Sequence, residues 1–347
     1  MFSFKVVMSQ LLSKKIIAWY QKHKRSLPWR THRNAKDRDY KVLISEFMLQ
    51  QTKVSTVIPY FNKFYKKFPN ISSLAKARIT SVLKQWEGLG YYRRARNLHL
   101  TSKILNKDFD SSLPADINQL KNLPGIGDYT ASAIMAIAKN KSFIGIDGNV
   151  KRVLSRIFAI QQNKNFIKNI EKKIITMKVS KNCSDLMQGI MEIGALLCSP
   201  KKPDCQKCPI QKYCKFSFRP NAEIIPSRKI KEKHFYAFFI EKKNQILFSY
   251  NKSFNFLKEM INLPLVEIEK NHSLTKITKT LFDKFEIKNT PLKKINYNIS
   301  NFKMIITIVY LKNNLKFNNQ NFFWIDKKKI KQKILSVLTK KLIEASN

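Results

Sequence analysis

Acidic residues are scarce in this chain: 23 Asp and Glu stand against 66 Lys and Arg, a formal net charge of +43 over 347 residues. A field of that sign disfavours cationic partners and favours polyanions, nucleic acid first among them. Part of the excess fits an AT-biased coding sequence, which also enriches Asn and Ile, so charge alone names no substrate. There is no run of 18 apolar residues, which excludes a membrane-spanning helix. The first 20 residues carry Lys5, Lys14 and Lys15 within an apolar pattern and read as an amphipathic helix rather than a signal peptide. Cysteine is sparse too: of five, four crowd between 198 and 214, unlike a disulfide framework spread over a secreted chain. The thiol usage and missing targeting signal point to a cytoplasmic, nucleoid-associated bacterial protein. Glycine is the rarest punctuation, with all 8 between positions 88 and 194, where each is expected to mark a tight turn, a positive φ or a close backbone approach.

What is present is ample for folding. Hydrophobic residues make up 44% of the chain and aromatics 12%, which excludes disorder by composition, and the length suits two domains at roughly 150 residues each. Up to about residue 215 the apolar spacing is helical, over 41–52, 53–67, 79–87, 128–140 and 149–160, with prolines such as Pro28, Pro59, Pro69, Pro114 and Pro124 at expected boundaries. Residues 216–233, with Pro220, Pro226 and a basic run, read as a linker. From 234 to 347 the texture is mixed: paired strands at 235–241 and 245–251, further strands at 302–311 and 321–326, and helices at 275–286 and over the last 20 residues.

Three features carry chemistry. Cys198, Cys205, Cys208 and Cys214 follow C-x6-C-x2-C-x5-C, a ligand set suited to a structural zinc ion or a [4Fe–4S] cluster, and the spacing does not decide between them. Lysines within the loop could touch phosphates, and Cys183 stands outside as a buried or free thiol. The second feature is Leu123-Pro124-Gly125-Ile126-Gly127 before a helix start, which aims backbone N–H groups at an anion, followed about 20 residues on by Asp147, an expected N-cap. The third is Glu46, the only acid in the helical stretch 40–52, flanked by Val42, Leu43 and Leu49. Alone it would be read as a side chain snorkelling to water; desolvated, its pKa would rise and make it a proton donor near neutral pH.

Together these features resemble the helix–hairpin–helix DNA glycosylase superfamily, and within it the A/G-specific adenine DNA glycosylase (MutY) family. The matching stretches are Leu27-Pro28-Trp29-Arg30, SEFMLQQT (45–52), VIPYF (57–61), GLGYYRRARNLH (88–99), LPGIG (123–127), IDGNVKRVL (146–154) and the cysteine run, all in the family's order. The resemblance implies a mainly α fold: two helical subdomains with an iron–sulfur loop at 198–214 within a catalytic region 1–215, and a smaller, degenerate C-terminal α/β Nudix-like module. It makes the cluster [4Fe–4S], and the partner double-stranded DNA carrying A:8-oxoguanine or A:G mispairs, bound by a monomer. The target adenine would be flipped out and excised. Glu46 matches the catalytic acid that protonates adenine at N7, and Asp147 the carboxylate that stabilises the oxocarbenium-like sugar. Tyr129 and Asn149 match supporting residues, while Trp29, Arg30 and Gln188 match adenine-pocket positions. Tyr91 matches a wedge into the base stack, Gln50 and Gln51 residues near the strand, Gly125 and Gly127 the phosphate-binding hairpin, and Ser300 a position in the C-terminal recognition loop. Tyr129 stands where the endonuclease III branch carries a Schiff-base lysine, so a monofunctional glycosylase is expected. The alternatives are an endonuclease III-like pyrimidine glycosylase with lyase activity, and a non-catalytic DNA-binding protein. Two departures stand out. Asp128 places an acid beside the hairpin, and Ile299-Ser300-Asn301 lacks the aromatic and imidazole of the family's Phe-Ser-His loop, which implies relaxed recognition of the oxidised base.

Overall fold

Short polar side chains start four of the helices. Asn34 accepts from the Asp37 amide, Asn70 from Ser73, Asp116 from Asn118 and Gln119, and Asp147 from Val150. Each such cap satisfies a backbone donor that has no partner within the helix, worth about 1 kcal/mol. The computed structural model describes residues 2–160, 165–177, 179–216, 231–250, 254, 257, 260–269, 273–279, 281–282, 286–288, 292–299, 302–312, 321–330 and 332–346, with side chains from Met8 onwards. Ser300, Asn301 and the bulk of the expected linker, 217–230, lie outside these residues. The chain divides into two compact units, residues 1–77 with 97–227, and 78–96 with 228–347.

In chain order the helices are α1 (Phe2–His23), α2 (Ala35–Leu49), α3 (Val54–Lys67), α4 (Ile71–Ala75), α5 (Ile79–Trp86), α6 (Arg93–Asp108), α7 (Ile117–Lys121), α8 (Asp128–Ile137), α9 (Gly148–Phe158), α10 (Phe166–Met177) and α11 (Cys183–Leu196). No helix among the described residues is long and apolar enough to cross a membrane. In the first unit, Leu12, Ile16 and Tyr20 form a buried stripe at four-residue spacing along α1. Leu12 and Ile16 join Val150, Val153, Leu154 and Ile157 of α9 and Leu186, Met187, Ile190 and Ile193 of α11 in one core, with Cys198, Cys208 and Cys214 packed against it. Gly189 allows this packing: a Cβ there would stand 2.7 Å from the Ile16 side chain. The helix bearing Glu46 starts earlier and ends sooner than expected. It begins at Ala35 behind the Asn34 cap, so it also contains Asp37 and Asp39, and it stops at Leu49 because Gln50 leaves helical geometry (φ −52°, ψ 109°). Pro59 lies inside α3 rather than at a boundary.

The second unit carries a seven-stranded mixed sheet: β1 (Lys231–Lys242), β2 (Gln245–Tyr250), β3 (Ile261–Asn262), β4 (Leu265–Ile268), β5 (Lys293–Ile299), β6 (Phe302–Leu311) and β7 (Phe322–Asp326), in the order β3-β2-β1-β6-β5, with β4 on β1 and β7 on β2. β1 and β6 run parallel, with Phe235 opposite Ile306, and bury Phe235, Phe238, Ile306 and Ile308. The expected 235–241/245–251 hairpin is present. Four expectations are corrected. β1 begins at Lys231, inside the stretch read as linker, because the parallel pairing with β6 starts at Lys231–Phe302. Helix 275–286 shrinks to α12 (Leu274–Lys279), with Ile287 already bridged to Leu311. The last 20 residues split into α13 (Lys327–Ile330) and α14 (Val337–Ser346), with Leu335 between them bridged to Ile261. Residues 78–96, expected within the catalytic region, group with the sheet: the Tyr92 hydroxyl donates to the Leu335 carbonyl at 3.3 Å, and Lys340 pairs with Glu87 at 2.8 Å.

Candidate active site

A cavity of about 880 Å³ opens in the first unit where α2 and the segment before it face α8, the Asp147 turn and α11. Its walls hold Glu46, Asp147, Tyr129, Asn149, Trp29, Arg30, Gln50, Gln51 and Gln188, nine of the sequence candidates. Glu46 projects from the buried face of α2 and is 4% exposed, so it does not snorkel to water. Burial pushes its carboxyl up to about 7, the negative charge of Asp147 pushes the same way, and the Tyr129 hydroxyl, donating to the carboxylate, pulls it down. Asp147 is the N-cap of α9, its Oδ1 accepting from the Val150 amide at 2.7 Å. Burial raises its pKa too, but the Val150 and Asn149 amides and the Arg152 charge act against that rise. Burial therefore raises both carboxyls, Glu46 to about 7, where it holds a proton near neutral pH, while Asp147 keeps two backbone amides and the Arg152 charge that favour its charged form. Two carboxyls in one cavity, one held protonated by burial and the other hydrogen-bonded by backbone amides, are suited to an acid and an electrostatic partner.

Small residues bring the elements together. A Cβ on Gly145 would stand 2.9 Å from the Tyr129 carbonyl and 3.0 Å from its ring, so glycine lets the Asp147 turn lie against α8. Gly125 (φ +81°) seats the hairpin on α2, since a Cβ there would stand 2.8 Å from the Phe47 ring and 2.8 Å from Asn97. The Gln50 side chain donates to the Gly125 carbonyl at 3.4 Å. Gly127 is extended rather than left-handed (φ −93°) and has open space where a Cβ would point. Together α7, the Gly125–Gly127 turn and α8 make the expected helix–hairpin–helix, with Asp128 exposed and paired to Lys121 at 2.6 Å. Gly125 and Gly127 sit on this hairpin rather than in the cavity wall. Tyr91 belongs to the second unit, held at φ 48° with the Arg94 guanidinium 5.2 Å over its ring.

The structure adds residues that the sequence did not single out. Glu192, 1% exposed on the side chain, accepts two hydrogen bonds from Arg25 and one from Arg30, all at 2.8 Å. Burial alone would raise its pKa, but the two guanidiniums hold it below the usual carboxylate range. Arg30 also donates to the side-chain amide oxygen of Gln188 at 2.9 Å, so its guanidinium is committed to this network. Glu192 falls on the cavity side of α11 four residues after Gln188, a spacing that could have revealed it. Arg152 links the Asn149 side chain (2.9 Å) to the carbonyls of Gly194 and Cys198 (2.7 and 2.8 Å).

Cys198, Cys205, Cys208 and Cys214 line a second, small apolar cavity with Arg156, which donates to the Cys198 sulfur at 3.2 Å. All four are free thiols, as is buried Cys183. Among the described residues no three His, Cys, Asp or Glu side chains converge tightly enough for a single metal ion. Four cysteine thiols round one apolar cavity are a donor set that fits an iron–sulfur cluster.

Comparison with known proteins agrees with this architecture. Residues 44–176 match the HhH-GPD superfamily of base excision DNA repair proteins. The chain is 34% identical over 326 residues to an adenine DNA glycosylase of Buchnera aphidicola subsp. Baizongia pistaciae, covering 89% of each chain. It is 36% identical over 223 residues to an adenine DNA glycosylase of Homo sapiens, covering 60% of this chain and 40% of the relative. A solved thermostable thymine-DNA glycosylase superposes on 61% of this chain and 97% of its own with a TM-score of 0.54 at 26% identity. With its acid pair in one cavity, its hairpin and near-full-length similarity to a bacterial member, the chain belongs to the adenine DNA glycosylases of the helix–hairpin–helix base excision repair superfamily, enzymes acting on N-glycosyl bonds.

Proposed function

We propose that the chain hydrolyses the N-glycosidic bond of an adenine extruded from duplex DNA into the Glu46–Asp147 cavity. Glu46 gives its proton to the adenine ring at N7, drawing electrons out of the C1′–N9 bond as it breaks. The sugar left behind carries oxocarbenium-like positive charge, which the Asp147 carboxylate faces. A water oxygen then bonds to C1′ and passes a proton to the Glu46 carboxylate, which restores the acid and leaves free adenine and an abasic site. Tyr129 holds the Glu46 carboxyl, and Asn149 steadies the first turn of α9 through Arg152. Trp29, Arg30 and Gln188 shape the pocket wall for the base, Gln50, Gln51 and Tyr91 face the duplex, and the Gly125–Gly127 hairpin takes a backbone phosphate. The single observation that supports this reading best is that two carboxyls, Glu46 held protonated by burial and Asp147 capping a helix, line one cavity of about 880 Å³.

The preferred substrate is adenine opposite 8-oxoguanine or guanine, acted on by a monomer in a bacterial cytoplasm. Cys198, Cys205, Cys208 and Cys214 would hold a [4Fe–4S] cluster, which when bound cross-links the loop after α11 to the core and presents its lysines to DNA. The C-terminal unit would be a degenerate Nudix-like reader of the opposing base in which Ser300 takes part, with relaxed preference for the oxidised form. Incubation with duplexes carrying each mispair, followed by alkaline strand scission, tests this reading. Cleavage confined to adenine strands, and only after alkali, supports it; equal cleavage of pyrimidine-lesion strands without alkali favours the endonuclease III-like alternative.

A further inference from the structure

Three arginines line the cavity, and two are committed: Arg25 and Arg30 are both hydrogen-bonded to Glu192. Arg38 differs. It stands in the first turn of α2, eight residues before Glu46, with Val42 between them on the same cavity-lining face. Its Nε is buried and has no hydrogen-bond partner among the described residues. The nearest carboxylate oxygen, Asp39 Oδ1, is 3.9 Å away, beyond hydrogen-bond reach, and Lys139 engages the other oxygen of Asp39 at 2.5 Å. A buried N–H without an acceptor is costly to maintain, and a guanidinium fork is shaped for an oxyanion with two acceptors. The side chain is about one-third exposed, so its charge is reachable from the cavity. A nucleotide entering this cavity brings acceptors of that kind, because its O3′ and O5′ each continue into a backbone phosphodiester.

Resting on the glycosylase reading, we propose that Arg38 is a positioning residue that grips a phosphodiester flanking the extruded nucleotide. The contact would anchor the backbone at the cavity mouth while Glu46, two turns along the same helix, meets the base.

The test is binding to a duplex carrying a non-hydrolysable 2′-fluoro-deoxyadenosine opposite 8-oxoguanine, with a neutral methylphosphonate placed in turn at each linkage flanking that nucleotide. One phosphate contact contributes about 0.9 to the slope of log K against log salt, or on the order of 8-fold in affinity at 0.1 M salt. The wild-type protein should lose roughly that factor at one of the two linkages. Arg38→Met should show the lower slope already and lose nothing more on the methylphosphonate duplex, while Lys36→Met, an exposed cation in the same turn paired with Asp110, should keep the wild-type sensitivity. Additive losses from Arg38→Met and the methylphosphonate, or an unchanged slope in Arg38→Met, would overturn the assignment. Should Arg38→Met not fold, the wild type decides: insensitivity at both linkages refutes it. Adenine release from the cleavable duplex is read separately, so failure of this contact is distinguishable from failure of the glycosylase reading.

Discussion

The Tyr129 hydroxyl donates to the Glu46 carboxylate, and this bond opposes the two effects, burial and the Asp147 charge, that keep Glu46 protonated near neutral pH. α8 thus tunes the acid carried by α2, while α9 supplies the anion at its own N-terminus. Removing the phenol should raise the Glu46 pKa, so Tyr129→Phe should move the falling limb of base release to higher pH. Asp147→Asn removes a charge that raises the pKa and should move that limb to lower pH, together with a large fall in rate. Single-turnover pH profiles of the two variants check the opposite signs.

Glu46 should also cost stability. Its folded pKa of about 7 lies above the ordinary glutamate value of 4.5, so the folded state binds the proton more tightly, and stability is lost as pH rises from 4.5 through 7. Glu46→Gln should therefore be more stable than wild type at pH 8, by about 3 kcal/mol at most, with the gain vanishing below pH 4.5. Denaturant unfolding at the two pH values measures this.

Glu192 shows the opposite dependence. Its folded pKa is lowered, so its contribution is present above its unfolded pKa and is lost as pH falls through the folded value. Arg25→Ala and Arg30→Ala each leave this buried carboxylate short of a partner and should destabilise by about 3 kcal/mol. Each should lose more than Glu192→Gln, which removes the buried charge; thermal melts rank the three.

Gly145→Ala would place a methyl against the Tyr129 backbone, which cannot swing aside as a flexible side chain could. The expected result is displacement of the Asp147 turn: a cost of about 1–3 kcal/mol in stability and a much larger proportional loss of base release. Gly127→Ala meets open space and should leave stability nearly intact, which makes it the control.

Iron and sulfide analysis checks the cysteine loop. Purified protein should carry both elements, and Cys208→Ala should lose them along with salt-sensitive DNA affinity. Zinc without sulfide would contradict the assignment.

Much of this was legible in the sequence because the informative residues are ones whose roles are local. Asp147 caps the helix that follows it by accepting from an amide three residues on, the Gly125–Gly127 turn joins adjacent helices, and the apolar stripes of α1 and α9 repeat at helical period. What could not be read depends on distant partners. Glu192 is recognisable only once α11 faces Arg25 and Arg30. Gly145 gains its meaning from Tyr129, on the preceding helix. Residues 78–96 carry helical texture in the sequence, yet their partners Leu335 and Lys340 lie more than 200 positions away, so their grouping with the sheet was hidden. In the C-terminal unit the short helix α12 gives way to a bridge at Ile287, a tertiary choice that overrides local propensity.

The central claim is that the proton on Glu46 drives departure of the base while Asp147 supports the sugar. Single-turnover adenine release from an A:8-oxoguanine duplex, followed from pH 5 to 9 for wild type and Glu46→Gln, tests it most directly. The account predicts a wild-type rate that is level on the acid side and declines about tenfold per pH unit above 7, and a Glu46→Gln variant that binds the duplex but releases adenine orders of magnitude more slowly, without that decline. A Glu46→Gln variant that kept the wild-type rate and pH profile would contradict it.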